Sequence, residues 1–541
     1  MRTDDRRTTR PEPPPALDRR RSRRASAVAG LAGAAALTIA LALLHTFAPS
    51  MPFAPSAIAQ SLVRTTPGSV DSFFIDRLGH WAQRIALLGT CVGFVLLGSV
   101  AGVVVGRLEG NRAAGTSASP GRSAWWWASL LPFWAVAVAL YVRYPQSTDR
   151  WTFAAVTLPL AILSGGFAGR SRARLAAAPE RRRVPTDLTR RYAIRSLTLG
   201  GLGVALGVAN LGRLLHRRPD PGQQRLAISN VSPPVPRHGV PSDAHFAHVP
   251  GLTPEVTSIA AHYVVDEELI DPDIDPVTWR LAIGGKVGRP FRMSYDQLKG
   301  LPAVERYQTL ECVSNKVGGN LISTARWTGV PLKEILDRAG VPSTAMEVVF
   351  AAAGGYSDSL PIDHAMDDST LIAIGMNGHV LPRSHGFPAR VLSVGTYGMK
   401  NPKWLESIVV VDRPYQGFWE QRGWTKQAVV KTSARIDTPI DGAQLPPKVT
   451  VAGVAFAGDR GVSKVEVSTD GGRGWHPAEL RTALGPYTWR QWLYRFSPQE
   501  TSGQATILAR AYDGAGMRQS PVEAQPYPSG SSGYDAASVS L

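Results

Sequence analysis

Leu310-Glu311-Cys312-Val313-Ser314-Asn315-Lys316, followed by Arg326-Trp327-Thr328-Gly329-Val330-Pro331-Leu332, is the stretch on which the reading of this chain turns. Cys312 is one of two cysteines in 541 residues. The other, Cys91, lies in an apolar run that reads as membrane-spanning, so an internal disulfide is excluded. A lone thiol in a folded segment is a small buried residue, a nucleophile or a metal ligand. No histidine stands in the local company a hydrolytic cysteine needs, and the neighbours of Cys312 favour a metal.

Charge divides the chain outside this stretch. Residues 1–218 carry 29 Arg, no Lys and 10 acidic residues, a net of +19, whereas the remainder is close to neutral at −2. Arginine runs of this kind can mark a nucleic-acid-binding tail, but here they alternate with long apolar segments, which is the pattern of membrane topology. No nucleic-acid partner is expected. A basic cytoplasmic tail is assigned to 1–24 and a membrane domain to 25–218. Five spans are expected, near Ala25–Phe47, Ile85–Val105, Ala124–Val142, Thr152–Ala168 and Leu197–Leu215. Arginine bias places the N-terminus in the cytoplasm and, after an odd number of spans, the C-terminal half outside a cell membrane crossed several times. Thr189-Arg190-Arg191-Tyr192 before the fifth span resembles a twin-arginine export signal, although the same arginines also serve as ordinary positive-inside charge. No small-residue cleavage site follows it, so the segment is expected to remain as an anchor.

A Pro-rich linker is assigned to 219–250, with Pro219, Pro221, Pro233, Pro234, Pro236, Pro241 and Pro250. Beyond it the pattern is α+β. Trp279–Gly285 alternates and reads as a strand. Ser294–Leu301 reads as a short helix capped by Ser294 and ended by Gly300 before Pro302. Tyr307–Cys312 reads as a strand running into a loop, and a helix from Val330-Pro331-Leu332 stops at Gly340. After about Val429 short alternating segments recur, separated by Asp459-Arg460-Gly461, Asp470-Gly471-Gly472 and Asp513-Gly514, which argues a β-sandwich over 426–525. The polar end, 526–541, is expected to be a disordered tail.

Four pieces carry a resemblance over about 250–520. They are Glu311-Cys312 with Ile322–Trp327; Gly355-Tyr356-Ser357-Asp358-Ser359-Leu360-Pro361; Met376-Asn377-Gly378 through Leu381–Arg390; and Gly398-Met399-Lys400-Asn401-Pro402-Lys403-Trp404-Leu405. In this order they resemble the sulfite oxidase family of molybdopterin-dependent oxidoreductases. With the spans, the chain resembles the membrane-anchored sulfite-oxidase-like proteins of actinobacteria. The resemblance implies a molybdopterin-binding domain at 251–425, an immunoglobulin-like sandwich of the dimerisation type, and one molybdenum–molybdopterin per chain. It puts Cys312 on the metal as its protein thiolate, a soft ligand suited to it. It puts Tyr263, His385, Arg390, Asn401, Pro402 and Lys403 on the cofactor, whose phosphate calls for cationic and N–H donors. It makes Tyr356 and Arg326 catalytic, the phenol hydrogen-bonding an oxo group or anion and the guanidinium gripping an oxyanion.

The chain departs from that pattern in one place. Family members from animals and plants carry an arginine where His262-Tyr263-Val264-Val265-Asp266-Glu267-Glu268 brings acids, which disfavours a doubly charged anion. The expected activity is therefore oxygen-atom transfer to or from a small sulfur- or nitrogen-containing substrate, an oxyanion or an S- or N-oxide. The absence of Cys-x-x-Cys-His from the outer half implies a separate electron partner, a cytochrome or a quinone-linked protein. His45 and His80 offer a less favoured site for haem between the first two spans. A homodimer is expected from the sandwich. The rival reading is a membrane-tethered binding module without catalysis.

Overall fold

The computed structural model describes residues 16–47, 54–78, 81–113, 124–131, 135, 150–176, 220–227, 243, 246, 249–266, 268, 271–498 and 503–540. Contacts divide the chain into two compact units, residues 1–64 with 83–217, and 65–82 with 218–541.

In the first unit α1 (Ala16–Phe47) precedes α2 (Ala54–Thr65), and α3 (Gly68–Leu78), which belongs to the second unit, separates it from α4 (Trp81–Ala113). A short α5 (Ala124–Ala128) and the Pro159-containing α6 (Arg150–Ala176) follow. Small residues let α1 and α4 touch backbone to backbone: a side chain at Gly30 would meet the Gly98 carbonyl and Gly102. Among the described residues two helices are long and apolar enough to cross a membrane, Ser22–Leu43 and Ile85–Leu108. They cover the first two expected spans. α6 covers the fourth and α5 begins the third. The fifth span, the twin-arginine segment, His80 and most of the Pro-rich linker lie outside the described residues.

The second unit is built on four sheets. One has the order β2 (Phe291–Ser294), β1 (Arg280–Gly285), β10 (Leu405–Val411), β5 (Glu347–Ala352) and β6 (Ser357–Pro361). Another joins β3 (Val304–Glu311), β4 (Ile322–Pro331), β7 (Leu371–Met376) and β8 (His379–Val380), with β9 (Arg390–Leu392) paired to β7. Three short helices, α7 (Tyr295–Lys299), α8 (Leu332–Ala339) and α9 (Ile362–Ala365), complete this α+β part. The local signals act as the sequence suggests. The Ser294 hydroxyl accepts from the Gln297 N–H while the Gln297 side chain accepts from the Ser294 N–H, a full capping box. α8 ends at Gly340 with φ +71°, a left-handed position that suits glycine. Leu332, Ile335, Leu336 and Ala339 bury one face of α8 against Val330, Val348 and Phe350.

From Ser433 the chain is β-rich. β11 (Ser433–Thr438), β12 (Val449–Phe456), β16 (Arg490–Phe496) and β15 (Glu479–Leu480) form one antiparallel sheet. β14 (His476–Pro477), β13 (Val462–Ser468), β17 (Gln504–Asp513) and β18 (Asp535–Ser540) form the other. Val451 and Trp492 from the first share a core with Val465, Val467, Ile507 and Ala509 from the second. The polar end corrects an expectation. Residues 535–540 are a strand, paired with β17 from Gln504↔Ser540 to Ala509↔Asp535. Its alternation is carried by small residues: Ala537 and Val539 face the core while Ala536 and Ser538 are exposed.

Candidate active site

Cys312 stands just beyond the end of β3. The β3–β4 ladder runs to Glu311↔Ile322, and the Cys312 N–H then donates to the Leu321 carbonyl at 2.9 Å. The loop after it is tied down by Asn315, whose Nδ2 donates to Glu311 Oε1 and whose Oδ1 accepts from the Leu321 N–H. The thiol therefore stands at a fixed strand end in the wall of an open cavity. Burial pushes its pKa up to about 11, so in the free protein it is a thiol, and a metal bound there would have to displace the proton.

Three further segments close the cavity. From 262–266 come His262, Tyr263, Val264, Val265 and Asp266. From β9 and the segments flanking it come His385, Arg390, Gly398, Met399, Asn401, Pro402 and Lys403. Tyr356, Trp419 and Trp424 wall off the rest. Of the nine residues that the sequence singled out, eight meet in this cavity: Tyr263, Cys312, Tyr356, His385, Arg390, Asn401, Pro402 and Lys403. Arg326 does not. Its neighbour Trp327 turns inward under Arg390 and His262, and strand alternation sends Arg326 to the opposite face of β4. There its guanidinium lies 3.7 Å from Glu305, with the side chain 39 % exposed. The expected oxyanion grip by Arg326 is thus corrected by the parity of a strand.

One end of the cavity is cationic. Arg390 donates to the His385 carbonyl at 3.2 Å and to the Asn401 carbonyl at 3.0 Å, and its Nε has no partner among the described residues. Burial lowers its pKa to about 10, which leaves it charged at neutral pH. Lys403 is paired with Asp266 and donates to the Ser384 carbonyl at 3.0 Å, and burial pulls it down to about 7. The rings of His262 and His385 meet edge to face at 5.1 Å. Burial, with Arg390 adding to it, lowers His385 to about 4; burial and then His385 lower His262 well below the usual imidazole range. Both are neutral at pH 7. Asn401 works as scaffold: its side chain accepts from the Ser393 N–H and donates to the Tyr397 carbonyl.

Tyr263 links this end to the thiol. Its ring stacks on His262 at 5.4 Å, and a Cβ at Gly398 would lie 2.8 Å from its hydroxyl and 3.9 Å from the Cys312 Cα. Tyr356 lies at the other side. Its hydroxyl donates to the Met399 carbonyl at 2.6 Å, with Asp358 Oδ2 at 3.4 Å behind it. The sequence reading missed His262 and Asp266 as individuals, although it quoted their segment. It also missed Trp419 and Trp424, which reach the cavity from the turn after β10; their only signal was an aromatic cluster, Phe418-Trp419 with Trp424.

A soft sulfur donor and a cationic end suit an elongated cofactor that carries a metal at one end and a phosphate at the other. The buried Nε2 of His262 and Nε of Arg390, both lacking a hydrogen-bond partner among the described residues, are what such a polar group would satisfy. The class is thus a metal-cofactor oxidoreductase site. The description "Oxidoreductase molybdopterin binding domain" matches residues 268–419, and "Mo-co oxidoreductase dimerisation domain" matches 424–525. Human mitochondrial sulfite oxidase is 31 % identical over 290 residues, covering 45 % of this chain and 53 % of its own length. The nitrate reductase of Hordeum vulgare is 29 % identical over 352 residues, covering 53 % of this chain and 38 % of its own. The sulfane dehydrogenase SoxCD of Paracoccus pantotrophus is similar in structure, with a TM-score of 0.45 at 21 % identity, over 50 % of this chain and 75 % of that one. The chain spans about half the length of the sulfite oxidase it matches. These matches make the chain similar to the sulfite oxidase family of molybdenum-dependent oxidoreductases and imply molybdopterin-bound molybdenum as its cofactor.

Proposed function

We propose that this chain is a membrane-anchored, extracytoplasmic oxidoreductase that moves an oxygen atom to or from a small sulfur- or nitrogen-containing substrate. The observation that carries the reading is the meeting of Cys312, Tyr356 and the His385–Arg390–Lys403 group in one cavity. The bound cofactor supplies two-electron chemistry and the oxygen-transfer centre. The protein does the rest. Cys312 gives up its proton and ligates. Arg390, Lys403 and the two neutral imidazoles hold the phosphate end. Tyr263 and Gly398 set the spacing between that end and the thiol, and Tyr356 lines the substrate side. Electrons leave or arrive through a separate partner, a cytochrome or quinone-linked protein, and the sandwich, which we read as immunoglobulin-like, supports a homodimer.

The anchor rests on Ser22–Leu43 and Ile85–Leu108 with the arginine bias around them. We extend this to a multi-span domain with the N-terminus in the cytoplasm. The test is elemental analysis of the purified full chain beside Cys312→Ser. About one molybdenum per chain, lost in the variant while the fold persists, is the expected result, and the unaltered protein should then turn over an S- or N-oxide couple or an oxyanion. A folded, exported protein without molybdenum, made in a host that supplies the cofactor, would leave the tethered binding module as the better account.

A further inference from the structure

α3 comes from the loop between the two long apolar helices, yet it belongs to the second unit. Gly68, at its start, is buried, and a Cβ there would lie 2.6 Å from Trp424 Nε1 and 2.9 Å from the Arg422 carbonyl. Trp424 packs edge to face on Trp419 and Tyr527 and lines the cavity that holds Cys312. The first turn of α3 is thus seated on the element that walls the cavity. The remainder of the helix presents a different surface. Val70, Phe73 and Phe74 are 40, 54 and 46 % exposed. They stand at i, i+3 and i+4, so they share one stripe of the helix. The rings of Phe73 and Phe74 meet edge to face at 5.6 Å, and the Arg77 guanidinium lies over Phe73 at 5.1 Å. A single exposed apolar side chain is ordinary; a contiguous stripe with two phenylalanines marks a contact surface.

Chain length says what covers that stripe. α3 ends at Leu78, α4 begins at Trp81, and the apolar stretch Ile85–Leu108 opens one helical turn later. Three peptide links and one turn reach at most about 17 Å. The other apolar stretch, Ser22–Leu43, ends on the far side of the same loop, so two crossings would return both ends of residues 44–84 to one membrane face. A helix tethered this closely to a hydrocarbon core meets lipid before it meets a distant partner. Its composition agrees. The phenylalanines suit the boundary between headgroups and acyl chains, and the Arg77 stem lies along the Phe73 ring while its charge stays outside, as at an interfacial helix.

We propose that α3 lies on the lipid surface, with Val70, Phe73 and Phe74 inserted at the headgroup boundary, and so seats the unit that carries Cys312 against the membrane. This rests on the membrane-anchored reading above and adds a peripheral contact to the spans. The seat is rigid with respect to the cavity because Gly68 leaves no room between α3 and Trp424.

The experiment uses the full chain in vesicles of phosphatidylcholine and phosphatidylglycerol. The photoreactive residue p-benzoylphenylalanine is introduced in place of Val70, Phe73 or Phe74, one at a time. Two exposed positions serve as controls: Ser69, on α3 but off the stripe, and Ile440, which is 73 % exposed elsewhere in the second unit. After irradiation the adducts are identified by mass. The expected result is lipid adducts at the three stripe positions, several-fold above those at Ser69 and Ile440. Phe73→Ser with Phe74→Ser should lower the adduct at Val70 several-fold, while the chain still resists extraction by alkaline carbonate. Stripe yields no higher than at Ile440 in a chain that resists carbonate would overturn the proposal and leave the anchored reading standing. So would adducts to a second copy of the chain in place of lipid. A chain that carbonate releases from the vesicles would overturn both.

Discussion

Lys400 Nζ lies 2.7 Å from Asp358 Oδ1, and both side chains are buried. The same ammonium meets Glu420 at 2.5 Å and the Ser359 carbonyl at 3.3 Å. Lys400 ends the 3-10 turn Gly398–Lys400, whose Gly398 lies against Cys312 and whose Met399 accepts from Tyr356. The ion cluster thus pins the floor of the site from behind. Lys400→Met leaves two buried carboxylates without their cation and should cost about 3–5 kcal/mol, read as a lower urea midpoint. If stability is unchanged, the cluster has no such role. Lys400→Met with Asp358→Leu and Glu420→Gln should recover much of the loss, because the charges then vanish together.

The two imidazoles predict a pH dependence of the metal-free protein. Burial holds His385 at about 4, below its ordinary value, so the fold resists protonating it. A depressed folded-state pKa means that the stability is fully present above the unfolded value. As pH falls below about 6.5 the unfolded chain takes up a proton that the folded chain does not, and stability declines until about pH 4. His385 alone accounts for about 3 kcal/mol of this decline, and His262 acts in the same direction. Unfolding midpoints between pH 7.5 and 4 check it, with His385→Gln as comparison. A variant that declines as steeply as the unaltered protein would remove His385 as the cause.

Gly398 is held to glycine by close approach, since a Cβ there would lie 2.8 Å from the Tyr263 hydroxyl and 3.4 Å from the Glu311 carbonyl. The nearer contact is with a half-buried phenol stacked on His262, whose free side is the cavity. Gly398→Ala should therefore push Tyr263 into the cavity and lower molybdenum occupancy several-fold without unfolding the protein. Tyr263→Phe in the same chain removes the oxygen that clashes and should restore loading. Full loading of the single variant would show that the cavity has slack at this point.

Arg326 supplies the opposite expectation. Its guanidinium is half-exposed near Glu305 on the outer face of β4. Arg326→Ala should leave kcat and KM within about twofold of the unaltered protein and change stability by no more than about 1 kcal/mol, as for an exposed ion pair. A loss of activity of tenfold or more would return Arg326 to the site.

The residues that the sequence exposes and those it hides differ in the range of the interaction that places them. Ser294 with Gln297 and Gly340 act over a few residues, so their helix ends were legible. So were the strands around the Asp-Gly turns, where Gly461, Gly471 and Gly472 all have positive φ. The cationic end of the cavity was legible because His385, Arg390 and Lys403 fall close together in the chain, and Cys312 stood out because it has no possible sulfur partner in its own unit. Arg326 was misplaced because a family pattern fixes a residue's strand but one step along that strand reverses its face. Trp419 and Trp424 were not legible: their contact with Tyr356 and Met399 depends on how the turn after β10 returns across the cavity. The last strand was hidden by composition, since Ala537 and Val539 are too small to stand out among serines.

That strand allows a final prediction. β18 pairs with residues 504–509 of β17, seats Val539 and Ala537 in the shared core, and returns Ser540 N–H to the Ala443 carbonyl. Removing residues 535–541 would expose that apolar surface and leave β17 as an open edge. The expected cost is about 3 kcal/mol or more, a Tm lower by roughly 5–10 °C, with a tendency to self-associate through the freed edge. The cofactor cavity should be spared, because Ser531, which donates to the Asn315 carbonyl behind Cys312, and Tyr527, which packs on Trp424, are retained. Molybdenum content and Tm measured on the same truncated protein separate the two effects. A disordered tail would predict no change in either, and a tail that holds the Cys312 loop through β18 itself would predict loss of both.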